Sequence, residues 1–296
     1  MLSILIPTYN YNVYPLAKEL HKQFSKLGVE FEIRIYDDAS INKFETNDLL
    51  KDLDHVVYKS LKENLGRTKL RHLLAVEAKY SQLLFIDTDM FPKDRFYATK
   101  ILKVLERVQA DIHFGGIQVP PSPPSPKKIL RWKYGKEREA LPLEQRRQKP
   151  YRSIISSHLL IKKEVFLQVS NKIKDFNRYG LDIYFSYLLK KQKAKVYHYQ
   201  NPLMHLGLED SDVFIKKTQE AVDTLYFLIK NGYIPSDYSK LGKLGLRLKK
   251  FKLCGMLSLL FHWFNKICLK NLISTNPSLG IFDLYKLCYF CKISKK

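Results

Sequence analysis

Leu83-Leu84-Phe85-Ile86-Asp87-Thr88-Asp89 is an unbroken apolar run that ends at two carboxylates one residue apart. A short continuous run of this kind signals a strand buried on both faces, the type found in parallel sheets covered by helices. Outward from it, Ser3–Pro7 gives the same signal, Phe31–Tyr36 reads as a second strand and His55–Tyr58 as a short third. Between these runs the period changes. Leu16, Leu20, Phe24 and Leu27 recur at helical spacing over Val13 to Leu27, with Gly28 as a C-terminal stop, and Leu70, Leu73 and Leu74 do so over Thr68 to Ala78. This alternation predicts an α/β fold with a largely parallel sheet. Downstream, Ile154–Ile161 and Lys195–Tyr199 read as strands, and Asp182 to Leu189 and Asp212 to Lys230 as helices. The middle reads as irregular. Pro120 to Pro126 is restricted to extended or turn conformations, and Lys127 to Lys149 is a basic stretch.

The chain has 296 residues, 45% hydrophobic and 27% charged. That is enough to bury a large core without disulfides or a structural metal, which excludes disorder or coiled coil as whole-chain readings. No run of about 18 apolar residues occurs, which excludes a conventional membrane-spanning helix. Met1 to Ile6 lacks a basic leader and its apolar run stops at Pro7, so the protein is expected in the cytoplasm. The net charge of +22 is unevenly placed: residues 1–100 carry 15 basic and 14 acidic side chains, residues 101–235 carry 24 and 13, and residues 236–296 carry 12 and 2. A basic surface favours nucleic acid, anionic membrane or phosphorylated substrates, and charge alone does not choose among them.

Parallel sheets place ligands beyond the carboxyl ends of their strands. Polar residues fall there three times: Thr8-Tyr9-Asn10, Asp37-Asp38-Ala39-Ser40 and Asp87-Thr88-Asp89. Two carboxylates on one turn can face a hard divalent cation such as Mg²⁺ or Mn²⁺, which accepts oxygen ligands and leaves positions for substrate phosphates. Taken alone, such a turn is as readily a solvated one. Ending a buried strand, beside other polar strand ends, it marks a shared crevice.

Ser3-Ile4-Leu5-Ile6-Pro7-Thr8-Tyr9-Asn10, Tyr36-Asp37-Asp38-Ala39-Ser40, Asn64-Leu65-Gly66-Arg67 with Arg71, and Phe85-Ile86-Asp87-Thr88-Asp89-Met90 together resemble family-2 nucleotide-sugar glycosyltransferases of the GT-A fold. Tyr179-Gly180-Leu181-Asp182 and Asn201-Pro202-Leu203-Met204-His205 are similar to that family's acceptor-side and closing motifs, so the resemblance covers roughly residues 1–230. It implies an inverting enzyme of the bacterial surface-polysaccharide type, with a nucleoside-diphosphate sugar as donor and a glycan or lipid-linked glycan as acceptor.

Residue by residue, the resemblance implies that Asp38 binds the nucleotide base, with Pro7, Thr8 and Tyr9 lining its pocket and Asn64, Arg67 and Arg71 near the base or diphosphate. Asp89 would ligate the metal (Mn²⁺ or Mg²⁺), Asp87 and Thr88 would touch the ribose or the metal shell, and His205 would be the third protein ligand. A structural histidine is the bland reading of His205. Asp182 resembles the catalytic base: a sugar hydroxyl is a poor nucleophile, and a carboxylate in reach can take its proton. It can equally cap the helix that starts there, and many relatives carry an acidic pair where Ile183 follows here. Arg131, Lys133, Lys136 and Arg138 are candidates for phosphate contacts or a solvated loop. Trp132 and Tyr134 offer a sugar-stacking face or loop anchors.

The expected domains are 1–235, comprising a nucleotide-binding part (1–118) and an acceptor-side part (119–235), and a basic extension, 236–296. Lys240 to Lys252 holds six basic and no acidic residues, and Leu253 to Phe264 is then apolar except for Ser258 and His262. This segment either lies in the headgroup layer of an anionic membrane, at the inner face of the cytoplasmic membrane, or packs on the catalytic domain. All four cysteines lie in it, and Cys288-x-x-Cys291 with Cys254 and Cys268 lacks zinc-ribbon spacing. Two rivals remain. A nucleotidyltransferase would carry a glycine-rich loop after the first strand, and Thr8 to Asn12 contains no glycine. A nucleic-acid-binding protein would show a recognition helix, zinc finger or aromatic RNA-binding motif. None is visible, so no specific nucleic acid is expected.

Overall fold

The computed structural model describes residues 1–295; Lys296, the last residue of the expected basic extension, lies outside the described residues. The chain forms two compact units, one of residues 1–119, 140–177 and 188–207, the other of residues 120–139, 178–187 and 208–296.

The first unit is a three-layer α/β structure. Its large sheet contains β1 (Leu2–Thr8), β2 (Phe31–Asp37), β3 (Val56–Ser60), β4 (Gln82–Ile86), β6 (Ile112–Phe114), β8 (His158–Lys162) and β9 (Val196–His198), in the order β3-β2-β1-β4-β8-β6-β9. β1, β2, β3 and β4 are mutually parallel, and β8 alone runs antiparallel to its neighbours β4 and β6. Leu2, Ile4 and Ile6 of β1 and Ile33 and Ile35 of β2 face one side, where Leu16, Leu20 and Phe24 of α1 (Tyr14–Ser25) and Tyr97 and Ile101 of α3 (Tyr97–Arg107) complete a buried core. On the other side, Phe85 of β4 meets Phe166 of α6 (Lys163–Ile173) with ring centroids 4.5 Å apart, and His72 of α2 (Arg67–Glu77) bonds Ser170 of α6 at 2.9 Å. Helix cover on both faces explains why β1 and β4 read as continuous apolar runs. Elements α3, β6 and α6 are not among those expected from the sequence, although Tyr97, Ile101 and Val104 recur at helical spacing in α3.

A second sheet of three short strands, β5 (Met90–Phe91), β10 (Leu203–His205) and β7 (Ile117–Gln118), stands in the order β5-β10-β7. It follows directly on the Asp87–Asp89 turn. The basic stretch expected to be irregular includes two short helices, α4 (Ile129–Tyr134) and α5 (Leu143–Gln148). Arg146 of α5 is buried and bonds the carbonyls of Phe114 and Tyr199 at 3.0 Å each, an anchor that composition does not disclose.

The second unit is helical: α4, α8 (Ser211–Lys230), α9 (Lys240–Lys250), α10 (Cys254–Leu272) and α11 (Leu279–Ser294), with the start of α7 (Asp182–Lys191). Leu130, Phe214, Ile215, Phe261, Leu272, Phe282 and Tyr285 form its core. The residues after 236 therefore share a core with residues 120–139 and 208–235. Cys254, Cys288 and Cys291 are buried thiols, consistent with apolar packing, and burial pushes Cys291 up to about 12.

Candidate active site

The carboxyl ends of β1, β2 and β4 lie side by side because those strands are adjacent and parallel. Three groups of side chains collect there. The first centres on Asp38, which is buried just beyond β2. Its two oxygens accept from the backbone N–H groups of Leu65 at 2.7 Å and Gly66 at 2.9 Å, and Asn64 Nδ2 donates to its carbonyl at 2.9 Å. Asp38 therefore holds the loop that starts α2, where Gly66 has φ +77°. Burial raises the Asp38 carboxyl above its ordinary value, the two N–H donors oppose that, and the neighbouring Asp37 charge adds to it. Each oxygen keeps a second lone pair for a ligand. Beside it, Thr8 is buried and its hydroxyl has no partner among the described residues, while Tyr9 is exposed. Pro7 pairs in register with Tyr36 inside the sheet.

Asp87 anchors the second group. Arg71 Nη2 bonds one of its oxygens and Arg67 Nη2 the other at 2.9 Å. The Ser156 carbonyl receives Arg71 at 2.8 Å, and the Ser156 hydroxyl receives Arg67 at 3.1 Å. Burial would push the Asp87 carboxyl up, but the Arg71 and Arg67 guanidiniums outweigh it and hold the carboxyl below its usual range. Asp87 is thus bound to two arginines. Arg67 and Arg71 lie one turn apart on α2, so one carboxylate can gather both.

In the third group, β10 pairs antiparallel with β5 so that His205 is opposite Met90, the residue after Asp89, and Leu206 N–H donates to the Asp89 carbonyl at 2.8 Å. That register brings His205 Nε2 within 3.1 Å of Asp89 Oδ2 across 116 positions of sequence. Gly207 presses against Asp89: a Cβ there would overlap the Asp89 side chain. Tyr11 is close enough for the Asp89 charge to add to burial in raising its phenol. Sequence reasoning missed Ser156, Gly207 and Tyr11; a glycine two residues after the histidine was the one available signal.

A divalent ion fits Asp89 and His205 in donor chemistry, one carboxylate oxygen and one imidazole nitrogen directed at each other. Among the described residues no group of three metal-ligating side chains forms, so two protein ligands would leave most positions for substrate phosphate and water.

In the second unit, Gly180 (φ +85°) packs on Ala221, and the turn places Asp182 at the first position of α7. Leu181 supplies the capping carbonyl, accepting from Tyr184 and Phe185, so Asp182 is one residue inside the helix. Its carboxylate is exposed and makes no hydrogen bond or ion pair with the described residues. Arg131, by contrast, is buried, bonds Glu139 Oε2 at 2.8 Å and lies over Phe214. Trp132 Nε1 donates to the Pro120 carbonyl at 2.8 Å, with Lys136 Nζ 4.9 Å from its ring centroid. Tyr134 packs against Phe214 and Phe282, and burial pushes its phenol up to about 12. Lys133 bonds the Pro277 carbonyl and Arg138 bonds Asp283, so this stretch is tied to its own unit.

A mainly parallel sheet with acidic strand ends, facing a short strand that carries a histidine, agrees with the GT-A fold that the sequence motifs resemble. Residues 3–168 match the Glycosyl transferase family 2 model, over half of the chain, and the protein belongs to that family. No curated protein matches the sequence. Among solved structures, it is similar to Staphylococcus aureus TarS 1–349 (13% identity, TM-score 0.52, 99% of this chain and 90% of that one). It is also similar to the mannosyltransferase PcManGT from Pyrobaculum calidifontis, solved with GDP-Man and Mn²⁺ (12%, TM-score 0.55, 99% and 86%). Mannosyl-3-phosphoglycerate synthase from Rubrobacter xylanophilus shares the fold too (14%, TM-score 0.55, 79% and 76%).

Proposed function

We propose that this glycosyltransferase moves a sugar from a nucleoside-diphosphate sugar to a hydroxyl of a glycan or lipid-linked glycan, with inversion, in cell-surface polysaccharide or lipopolysaccharide synthesis. The observation that carries this reading is the pairing of Asp89 with His205 beside the Asp87–Arg67–Arg71 cluster, just beyond the carboxyl end of β4. The mannosyltransferase solved with GDP-Man and Mn²⁺ supports a nucleotide-sugar donor and a divalent metal.

In this reading the unpartnered Thr8 hydroxyl and the spare lone pairs of Asp38 receive the nucleoside. Asp89 and His205 would hold Mn²⁺ or Mg²⁺, which would supply charge neutralisation at the leaving diphosphate. Asp87 keeps two guanidiniums at the crevice, fixed in orientation before the donor arrives; preorganised charge of this kind stabilises a developing anion more effectively than mobile water. Asp182, exposed and unengaged, takes the proton of the acceptor hydroxyl as its oxygen bonds the anomeric carbon and the nucleoside diphosphate departs from the opposite face. A lipid-linked acceptor sets the work at the inner face of the cytoplasmic membrane.

Thermal-shift measurements with UDP, GDP, CMP and dTDP, each with and without Mn²⁺, test the reading. One nucleoside diphosphate is expected to stabilise the protein in a metal-dependent way, by roughly 2.7 kcal/mol at a hundredfold excess over Kd. No shift with any of them contradicts it.

A further inference from the structure

Helix α10 is apolar on two opposite sides. Phe261 and Leu272 are buried and, with Leu257, Cys268 and Leu269, pack into the core of the second unit, while buried Cys254 lies beside Cys291. The other side carries Met256 (56% exposed), Leu259 (62%), Trp263 (73%), Phe264 (52%) and Ile267 (64%). Their spacing aligns them in one stripe along the helix. Exposed Phe251 and Leu253 extend the apolar surface just before it. A helix whose outer face meets only water is polar there, and monomeric proteins seldom expose contiguous apolar surface on this scale.

The surroundings of the stripe are cationic. Lys249, Lys250 and Lys252 precede it, Lys266 and Lys270 flank its second half, and all five are exposed. None of the five is in an ion pair with the described residues, which is expected where residues 236–296 hold 12 basic and 2 acidic side chains. No helix among the described residues is long and apolar enough to cross a membrane. An apolar face rimmed by lysines, with a tryptophan near its middle, has the chemistry of a helix lying in the headgroup layer.

We infer that the Met256–Ile267 face of α10 is the membrane-docking surface of this enzyme and that its partner is an anionic lipid bilayer. The apolar residues enter the headgroup–acyl boundary while the lysine rim contacts lipid phosphates. A second copy of the chain is the poorer occupant, because a two-fold contact on this face would bring like charges together. The inference rests on the proposed function only for its biological purpose, retention beside a lipid-linked acceptor; the binding itself is independent of turnover.

The test uses the full chain with vesicles of phosphatidylcholine alone or mixed with phosphatidylglycerol, at low and high salt. Co-sedimentation with the anionic vesicles is expected at low salt, weakening at least several-fold at high salt. Trp263→Ser with Ile267→Ser should weaken it at least tenfold. Replacing Lys249, Lys250 and Lys252 by Gln should abolish the preference for anionic lipid. Tryptophan emission should shift to the blue with anionic vesicles, and Trp263→Phe should bind while losing most of that shift. If the serine pair lowers thermal stability, the lysine set and the emission change decide the matter. Protein that stays in the supernatant with anionic vesicles at low salt overturns the inference, as does a dimer in solution that the serine pair dissolves. Nucleoside-diphosphate binding, measured on the same samples, separates this failure from failure of the donor reading.

Discussion

An alanine at Gly207 would disturb the Asp89–His205 pair while leaving both side chains in place. The added Cβ would overlap Asp89 Cβ and stand 2.7 Å from Oδ2 and 2.9 Å from Cγ. Carbon atoms pack at about 3.5–4.0 Å, so the chain after β10 must move away from the Asp89 turn by about 1 Å. Two contacts stretch as it does: Leu206 N–H to the Asp89 carbonyl at 2.8 Å, and His205 Nε2 to Asp89 Oδ2 at 3.1 Å. Overpacking of this sort costs about 1–3 kcal/mol. Misaligning one of two protein ligands should also weaken metal-linked nucleoside-diphosphate binding by about tenfold or more, equivalent to about 1.4 kcal/mol. Gly28→Ala is the control. Gly28 has φ +63° with nothing within 4 Å of an added Cβ, so it should lose about 1 kcal/mol to backbone strain and keep its affinity. Urea denaturation gives the stabilities, and calorimetric titration of UDP and GDP with Mn²⁺ gives the affinities. A Gly207→Ala protein that binds as tightly as wild type would show that the approach of β10 to Asp89 has no part in the site.

Asp182→Asn should leave donor binding intact and lower transfer to the true acceptor by about two or more orders of magnitude. Near-wild-type turnover would move the base role to Asp175, Glu209 or Asp210. Asp87→Asn removes the carboxylate charge that faces Arg71, only 7% exposed, and should destabilise the fold by about 3 kcal/mol, the low end for a buried pair because Arg67 is half in solvent; an unchanged urea midpoint would contradict this. His158 is buried, with Nδ1 donating to the Gly116 carbonyl and Nε2 accepting from Tyr97, and burial lowers it to about 4. Its unfolded value is about 6.5, so the unfolded chain takes up the proton first as pH falls, and stability should drop by about 3 kcal/mol between pH 6.5 and 4. His158→Gln should flatten that slope whatever its stability at neutral pH, and an unaltered slope would refute the assignment.

Strands β1 and β4 were legible because helices cover both faces, which makes Ile4 and Leu84 parts of continuous apolar runs. The crevice was legible for a related reason, since parallel strands end on one side and their polar ends had to meet. What sequence could not convey was which polar group each residue engages. Asp38 and Asp87 read as ligand-facing carboxylates, yet one holds the Leu65–Gly66 backbone and the other holds two arginines. These partners come from loops whose conformation no periodicity encodes. What Gly207 approaches was not legible because a close approach across a strand pair depends on register, fixed here by three-residue β10. The two-sided apolar character of α10 was visible, but not which side the rest of the chain covers; α11 settles that, burying Phe261 and leaving Trp263 out.

The central claim is that Asp89, paired with His205, is where a metal-bound diphosphate docks. Asp89→Asn keeps the size and the hydrogen-bonding reach of the side chain while removing its charge, so the fold should survive. Calorimetric titration of UDP and GDP in the presence and absence of Mn²⁺, on wild type and Asp89→Asn, tests the claim most directly. Wild type should bind one of them with an affinity that Mn²⁺ strengthens, and the folded variant should lose that metal-dependent increment. Equal metal-linked affinity in the two proteins would contradict the account.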